Sequence, residues 1–490
     1  MTKRPLNIIS VSAEIAPFVK TGGLGEVTKS LSRALAQLGH NVTVFVPYHK
    51  KIKSHVPEPK LILSNLPVKI DAENTLFADI YQGDLTDTIK VYFIDNPALF
   101  SNFEHIYHFE RDNERFLFFN AALKPAIEAL DLKPDIIQCH DWHAALAPCF
   151  IHQQKIKGCN PATIFTVHNL AFQLGGDWWA VPEKERDTGT TPLPSFSDTE
   201  GVRKINFALR GILCADLISA VSEHYAREIM TEKFGESLNR QLKARKKDLF
   251  GIINGIDYNE YNPQTDPGLP EKFGIENFDT NRKNKIYLQE YFGLKINQTK
   301  PVVGMVSRIT EQKGFELLIK ILPAIMKLDI QLVIMGGGDK KYEKIFTEAT
   351  KKYPGKFGYK PFEQKHETLV YAGSNFFLMP SRFEPCGLGQ LLSLRYGSIP
   401  IVHRVGGLSE TVTDFDPKTG KGNGFVFSSY DPKSLLAAIV RAMELYKNDP
   451  EAWGKLMLTA LKQVYSWELP AKKYESLFKK AILKHRFENK

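Results

Sequence analysis

The chain has 490 residues, 43% of them hydrophobic and 24% charged, with a formal net charge of +9. That length exceeds one ordinary core and implies two or three soluble, globular domains, and no apolar run is long enough to span a bilayer. The positive balance comes without any RRM, KH, zinc-finger or helix-turn-helix signature, which argues against nucleic acid and suits a small anionic substrate such as a sugar diphosphate.

Strands and helices alternate in chain order. Residues 6–12 read as a first strand rather than a signal peptide, because the short apolar run ends in polar residues with no small-residue cleavage site. A loop over 17–25 follows. Leu24, Val27, Leu31, Leu35 and Leu38 then recur at three- and four-residue steps, an amphipathic helix stopped by Gly39. Residues 41–46 are the next strand, completing a βαβ unit and starting a doubly wound sheet. Several short β-like runs occupy 60–95, 89–94 among them. Helices are expected at 115–130, 144–153, 206–215 and 224–232, and strands at 135–139, 163–167, 217–221 and 249–253. Asn254-Gly255-Ile256-Asp257 turns away from the last of these.

After the Pro- and Asp-rich stretch 262–270 the pattern restarts. Strands are expected at 302–306, 331–335, 376–379 and 399–403. Helices are expected at 315–328, 342–351, 366–373, 390–396, 433–446 and 451–464. Two doubly wound halves joined near 255–270 would place a ligand in a gap between the carboxyl ends of their strands. The five cysteines, Cys139, Cys149, Cys159, Cys214 and Cys386, form neither a CxxC pair nor a zinc spacing and fit a reducing cytoplasm. Four of them read as plain buried thiols, and Cys386 is set apart by its neighbours. The basic run Lys243, Arg245, Lys246, Lys247 reads as a solvated loop.

Five motifs fall at the carboxyl ends of expected strands. Lys20-Thr21-Gly22-Gly23-Leu24-Gly25 sits between the first strand and the first helix. Its glycines admit close backbone approach and the helix end welcomes phosphate; a tight packing turn is the other reading. His140-Asp141-Trp142-His143 follows the strand 135–139. Asp141 accepts hydrogen bonds from sugar hydroxyls or caps a helix, and Trp142 stacks on a sugar or packs. No spacing there supports a metal site. Thr166-Val167-His168-Asn169 ends the next strand, where His168 taken alone reads as a satisfied core histidine. In the second half, Arg308 and Lys313 stand five residues apart across a strand–loop–helix junction, a planar fork and a mobile point charge able to converge on one phosphate. Glu384, Cys386, Gly387 and Leu388 lie in the glycine-rich entry to a helix, with Glu384 placed to hold sugar hydroxyls or to act as a first-turn charge. Gly406-Gly407-Leu408 repeats the logic after the strand 399–403.

Residues 11–26 together with His140-Asp141-Trp142-His143, Val167-His168-Asn169, Ile253-Asn254-Gly255-Ile256-Asp257, the stretches 307–314 and 380–388, Arg395-Tyr396-Gly397-Ser398-Ile399-Pro400 and Gly406-Gly407-Leu408 closely resemble the bacterial glycogen synthases and plant starch synthases. The likeness runs in order from residue 6 to about 465. It implies the GT-B fold, two Rossmann-like domains facing across a central cleft. The first domain would span 1–255 on the acceptor side and the second 256–466 on the donor side, with 467–490 forming a helix that crosses back to the first.

The implied reaction is transfer of glucose from ADP-glucose to the non-reducing end of an α-1,4-glucan with retention of configuration, in the cytoplasm, with no metal ion and no cofactor. By the same resemblance Lys20, Gly22 and Gly23 lie by the diphosphate, and Arg308 and Lys313 neutralise the leaving phosphates. Glu384 binds glucose hydroxyls beside Cys386, Gly387 and Leu388. Asp141 and His168 contact the transferred glucose and the acceptor, with Trp142, His143 and Asn169 on the sugar side. None of these side chains is an obvious covalent nucleophile placed against a general acid, as a retaining hydrolase requires. Departures are Gly389, where many bacterial members carry Thr, the poorly matching stretch 174–196, and atypical residues just before Asp112-Asn113. The alternatives are a UDP-glucose-dependent or small-acceptor transferase of the same fold, and a non-catalytic glucan-binding protein.

Overall fold

The structure is a computed structural model that describes residues 4–107 and 109–488. Two compact units emerge: Gly255–Ser466 forms one, and the described residues on either side of it form the other.

In the first unit nine strands form one sheet: β1 (Asn7–Val11), β2 (Asn41–Pro47), β3 (Lys60–Lys69), β4 (Thr75–Thr86), β5 (Ile89–Asp95), β6 (Ile136–His140), β7 (Ala162–Val167), β8 (Leu217–Ala220) and β9 (Leu249–Gly251). Their spatial order is β3-β4-β5-β2-β1-β6-β7-β8-β9. From β5 to β9 all neighbours are parallel, with β1 paired to both β2 and β6; β3, β4 and β5 form an antiparallel meander. Every residue of β6, β7 and β8 is buried, as expected where helices cover both faces of a parallel sheet. The meander strand β3 is mostly exposed, which explains why residues 60–95 read only as scattered β-like runs.

The second unit holds a six-stranded, all-parallel sheet: β10 (Val302–Val306), β11 (Gln331–Met335), β12 (Phe357–Lys360), β13 (Phe376–Met379), β14 (Ile399–His403) and β15 (Phe425–Phe427), in the order β12-β11-β10-β13-β14-β15. Counted within the unit this is 3-2-1-4-5-6, the Rossmann order, with the switch between β10 and β13. The parallel part of the first sheet repeats it, with the switch between β1 and β6. Helices Phe315–Ile325 and Pro432–Asn448 cover the second sheet with one continuous apolar cluster.

Strands β12 and β15 were not expected, nor was the helix Arg282–Tyr291. The run Phe357-Gly358-Tyr359-Lys360 looks like a loop because glycine weakens a strand. Here Phe292 crosses over it: a Cβ on Gly358 would stand 2.8 Å from the Phe292 Cβ. Glycine is therefore required by a neighbour far away in sequence.

Two readings of the first unit are corrected. Cys149, in helix Ala147–Gln153, and Cys214, at the end of helix Phe207–Cys214, form a disulfide with Cα atoms 5.2 Å apart and a sequence separation of 65. They are not plain thiols. Spacing could not reveal this, because side-by-side packing of the two helices creates the pair. Arg245 is likewise not part of a solvated loop. Its guanidinium donates to the carbonyls of Ile212 (2.7 Å), Ala215 (2.8 Å) and Asp216 (3.0 Å), and to Asp248 (2.9 Å). It thereby satisfies carbonyls at the end of helix Phe207–Cys214 that have no partner within the helix.

The last helix, Glu468–Glu488, belongs to the first unit. Trp467, Ala471, Tyr474, Phe478 and Ala481 recur at four- and three-residue steps and are buried in the core that β1, β2 and the helix Gly23–Gln37 share. Phe478→Ala is expected to lower unfolding stability by about 3–5 kcal/mol, as for other buried aromatic deletions. Leu483→Ala, at an exposed position of the same helix, should change it by less than about 0.5 kcal/mol. Denaturant titration of both variants checks this.

Candidate active site

The candidate side chains stand at the switch point of each unit, where neighbouring strands send their loops in opposite directions and leave a crevice at their carboxyl ends. In the first unit the loop after β1 carries Lys20, Gly22 and Gly23. Helix Gly23–Gln37 starts within the glycine run; Gly22 is its extended N-cap and supplies no side chain to its amides. A Cβ on Gly22 would meet nothing within 4 Å, so the loop is open to a ligand at this point. A Cβ on Gly25 would stand 3.0 Å from the Lys20 Cβ, so Gly25 lets the loop fold back on the helix.

Lys20 is partly exposed and pairs with Glu26 (2.5 Å), which also binds Lys29 (2.7 Å). Burial raises the Glu26 carboxyl, but Lys20 and Lys29 outweigh it and hold the group below its ordinary value.

Buried Glu14, two residues past Ser12, organises this loop and was not picked out by sequence reasoning. Its carboxylate accepts from the Thr21 amide and the Thr21 hydroxyl, both at 2.6 Å, and from the Tyr107 hydroxyl. The Tyr107 ring lies 5.0 Å from that of His143. The Lys20 loop and the loop after β6 are thus linked through one carboxylate.

Across the switch point, Asp141 follows β6 with φ at 60° and ψ at 178°. Non-glycine residues rarely adopt this region, and such strain costs on the order of 1–3 kcal/mol. It is maintained because the Asp141 amide donates to the Thr166 carbonyl (2.8 Å), while its carboxylate accepts from the amides of His168 and Asn169, both at 3.4 Å. Burial raises the carboxyl to about 7 against these amide donors. His140 and His168 share a hydrogen bond of 3.0 Å between Nδ1 and Nε2, and burial keeps the His168 imidazole neutral by lowering it to about 3. His143 is buried and also held neutral by burial, and its Nδ1 has no hydrogen-bond partner among the described residues.

Trp142 is 5% exposed and packs against Phe116 (5.1 Å) and Phe207 (5.7 Å), both edge-on. It packs the core and is not a platform for a sugar, correcting the stacking reading.

The residues before the poorly matching stretch 174–196 prove to be its anchors. Asn113 donates to the carbonyls of Val202 (2.7 Å) and Ile205 (3.1 Å) and accepts from the Gly175 amide (2.8 Å). Within the stretch Arg186 lies over the rings of Trp178 and Trp179, and Asp187 forms a forked pair with Arg210 at 2.7 and 2.9 Å.

In the second unit Lys313 Nζ stands 2.6 Å from Glu384 Oε2, which also accepts from the Ser381 hydroxyl at 3.0 Å. Both side chains are largely buried. Arg308 is exposed and makes no ion pair among the described residues. Two close approaches fix this geometry. Gly314 has φ at 73°, and a Cβ on it would fall 2.0 Å from the Pro380 carbonyl oxygen, so the Lys313 turn lies directly on the Glu384 loop. Gly407 donates its amide to the Glu384 carbonyl (3.0 Å), and a Cβ on it would fall 2.1 Å from the Cys386 carbonyl oxygen. Cys386 is buried; Gln390 binds the carbonyls of Cys386 (3.2 Å) and Gly387 (2.9 Å), and Leu388 is the N-cap of the two-turn helix Gly389–Arg395. Ser381 and His403, joined by a 2.8 Å bond from the ring to the Ser381 carbonyl, support the site and were not singled out in sequence.

Residues 7–244 match the starch synthase catalytic domain family, and residues 289–456 match the glycosyl transferases group 1 family. The chain is similar to glycogen synthases of Pseudothermotoga lettingae, 38% identical over 98% of this chain and 100% of that protein, and of Moorella thermoacetica, 39% identical over 99% and 98%. Among solved structures it resembles the catalytic domain of starch synthase IV from Arabidopsis thaliana bound to ADP and acarbose, with a TM-score of 0.85, 28% identity, and coverage of 98% and 100%. It shares its fold with a sucrose-phosphate synthase from Thermosynechococcus elongatus, with a TM-score of 0.61, 18% identity, and coverage of 97% and 98%. Two parallel α/β units with these neighbours define a glycosyltransferase of the GT-B class. The chain belongs to the glycogen and starch synthase family.

Two predictions follow from the geometry. The folded pKa of Asp141 lies near 7, above its ordinary value of 3.8, so the folded state holds the extra proton between these values. Wild-type stability relative to Asp141→Asn should therefore be greatest below about pH 4, fall as pH rises to about 7, and level off above it. Melting temperatures of the two proteins from pH 4 to 8.5 measure this. At Gly389 a Cβ would meet the Phe377 ring at 3.0 Å and the Met379 sulfur at 3.3 Å. Gly389→Thr should destabilise the second unit by about 1–3 kcal/mol through overpacking. Denaturant titration gives the answer.

Proposed function

We propose that the chain transfers glucose from ADP-glucose to the non-reducing end of an α-1,4-glucan, with retention of configuration. The observation that carries the reading is the Lys313–Glu384 pair at the β10/β13 switch point, with exposed Arg308 on the same β10 loop. A breaking glycosidic bond puts negative charge on the departing diphosphate. Arg308 and Lys313 neutralise it; Arg308 serves as a forked donor, and Lys313 shifts part of its charge from Glu384 to phosphate. Glu384, held by Ser381 and Lys313, accepts from the glucose hydroxyls and fixes the ring. Gly387 and Leu388 present backbone to the donor beside Cys386.

Lys20, Gly22 and Gly23 of the first unit complete the phosphate contacts. Asp141 and His168, with His143 and Asn169, bind the transferred glucose and the acceptor. The acceptor hydroxyl attacks from the face the diphosphate leaves, and the departing phosphate oxygen takes its proton. Rate then comes from positioning and leaving-group stabilisation rather than from a covalent intermediate. The starch synthase IV structure bound to ADP and acarbose supports both a nucleotide and a glucan partner. The reaction needs no metal ion or organic cofactor. A cytoplasmic site of action is part of the proposal, since a charged sugar diphosphate does not cross a bilayer unaided.

The test supplies purified protein with glycogen and either ADP-glucose or UDP-glucose, with and without a chelator. Release of nucleoside diphosphate and glucan chain length are followed. ADP-glucose should elongate the glucan in both conditions, and Glu384→Ala should lower kcat by about 10²-fold or more with the fold intact. Preference for UDP-glucose would overturn the donor assignment, and absence of elongation with either donor would leave only glucan binding.

A further inference from the structure

A second cluster of chemically capable side chains lies in the first unit, at the amino-terminal end of β8. His152 sits in helix Ala147–Gln153, Asp216 immediately precedes β8, and His485 is on the last helix, Glu468–Glu488. Asp216 Oδ2 is 3.2 Å from His152 Nε2, and Asp216 Oδ1 is 2.8 Å from His485 Nδ1. One nitrogen or oxygen from each of the three lies within 4.8 Å of the others. The side chains of Asp216 and His485 are 4% and 5% exposed, while that of His152 is 29% exposed. All three line a cavity of about 470 Å³, which leaves room for water beside them.

Two imidazoles and one carboxylate are a donor set of borderline transition metals, zinc above all. Metal–ligand distances of about 2.0–2.2 Å around a tetrahedral ion imply ligand atoms about 3.3 Å apart. Asp216 presents a different oxygen to each imidazole, Oδ2 to His152 and Oδ1 to His485, so an ion entering among the three would replace both hydrogen bonds. The carboxylate is also oriented from behind: Asp216 Oδ2 accepts from the Thr163 amide (2.7 Å) and the Thr163 hydroxyl (2.9 Å). Outer contacts of this kind hold metal ligands in place.

The cavity's cations do not make it an anion site. Arg245 is spent on carbonyls and Asp248. Lys484 donates to the Asp216 carbonyl (2.9 Å) and pairs with Asp248 (2.8 Å) and, more loosely, Glu488 (3.7 Å). Lys155, Arg245 and Lys484 are matched in number by Asp216, Asp248 and Glu488. Apart from the imidazoles the lining therefore carries no net charge, and it gathers no excess of positive charge that would hold an anion.

We propose that His152, Asp216 and His485 bind one divalent transition-metal ion of the zinc class, with water completing the shell. The ion fastens the last helix to the β7–β8 edge of the first sheet. It takes no part in sugar transfer, so the proposal stands or falls independently of the reaction above.

The test uses the full chain without a histidine tag, stripped by chelator and then titrated with Zn²⁺ against a chromophoric competitor. Co²⁺ serves as a spectroscopic probe in parallel. One site per chain is expected, with visible Co²⁺ absorption of low-symmetry four- or five-coordination and a rise in melting temperature on adding Zn²⁺. His152→Gln should weaken binding at least tenfold and abolish the Co²⁺ band. Its melting temperature in chelator should match wild type, because His152 is partly exposed. His485→Gln should do the same to binding; if it fails to fold, His152→Gln decides alone. Wild-type protein with no Co²⁺ band, or a His152→Gln variant that binds Zn²⁺ as tightly as wild type, would overturn the assignment.

Discussion

Parallel strand order is the constraint on which the rest depends. In each sheet two central strands lie side by side while their connections leave toward opposite edges, so their carboxyl-end loops part and expose backbone between them. Lys20, Asp141 and His168 stand on loops after β1, β6 and β7; Arg308, Lys313 and Glu384 stand on loops after β10 and β13. No local propensity needs to bring these residues together, because hydrogen bonding of the strands beneath them already does. The central strands beneath them are buried on both faces, and the loops inherit their placement from that packing.

The loops are then tightened by contacts that only particular residues permit. Gly314 and Gly407 let the backbone of neighbouring turns approach where any Cβ would collide with a carbonyl oxygen. This sets the Lys313 turn against the Glu384 loop and produces their 2.6 Å pair. In the first unit the close contacts are polar. Glu14 ties the Lys20 loop to Tyr107, and the Asp141 carboxylate receives two backbone amides from the next strand end. Holding Asp141 at positive φ costs free energy that the surrounding hydrogen bonds offset, a pattern common where geometry serves chemistry. Burial keeps His140, His143 and His168 of the first unit weakly basic, while Arg308 and Lys313 stand at the switch point of the second unit.

Much of this was legible in the sequence because strand and helix periodicities are local and strong. The strands seen as β1, β2, β6, β10, β11, β13 and β14 are all rich in Val, Ile, Leu, Phe and Met. The motifs that follow them therefore fall at carboxyl ends on sequence alone. Less legible were elements whose composition answers to a distant neighbour. Strand β12 contains Gly358 because Phe292 crosses it, and Asn113 and Arg115 are polar residues whose buried contacts lie far along the chain or in the core. Trp142 stood in a motif full of functional candidates, yet its ring is enclosed by Phe116 and Phe207.

The amino-acid sequence by itself determined the two α/β series, the glycine-rich loops, the chemical types of the residues at their strand ends, and the family, because each depends on spacing along the chain. Tertiary structure alone decided which of those residues meet and in what state. It paired Lys313 with Glu384 across 71 positions and Cys149 with Cys214 across 65, and it brought His485 at the far end of the chain onto Asp216. It also buried Asp141 enough to raise its carboxyl. Distances across a sheet and the removal of water from a side chain are properties of packing, and packing is not written at any single position.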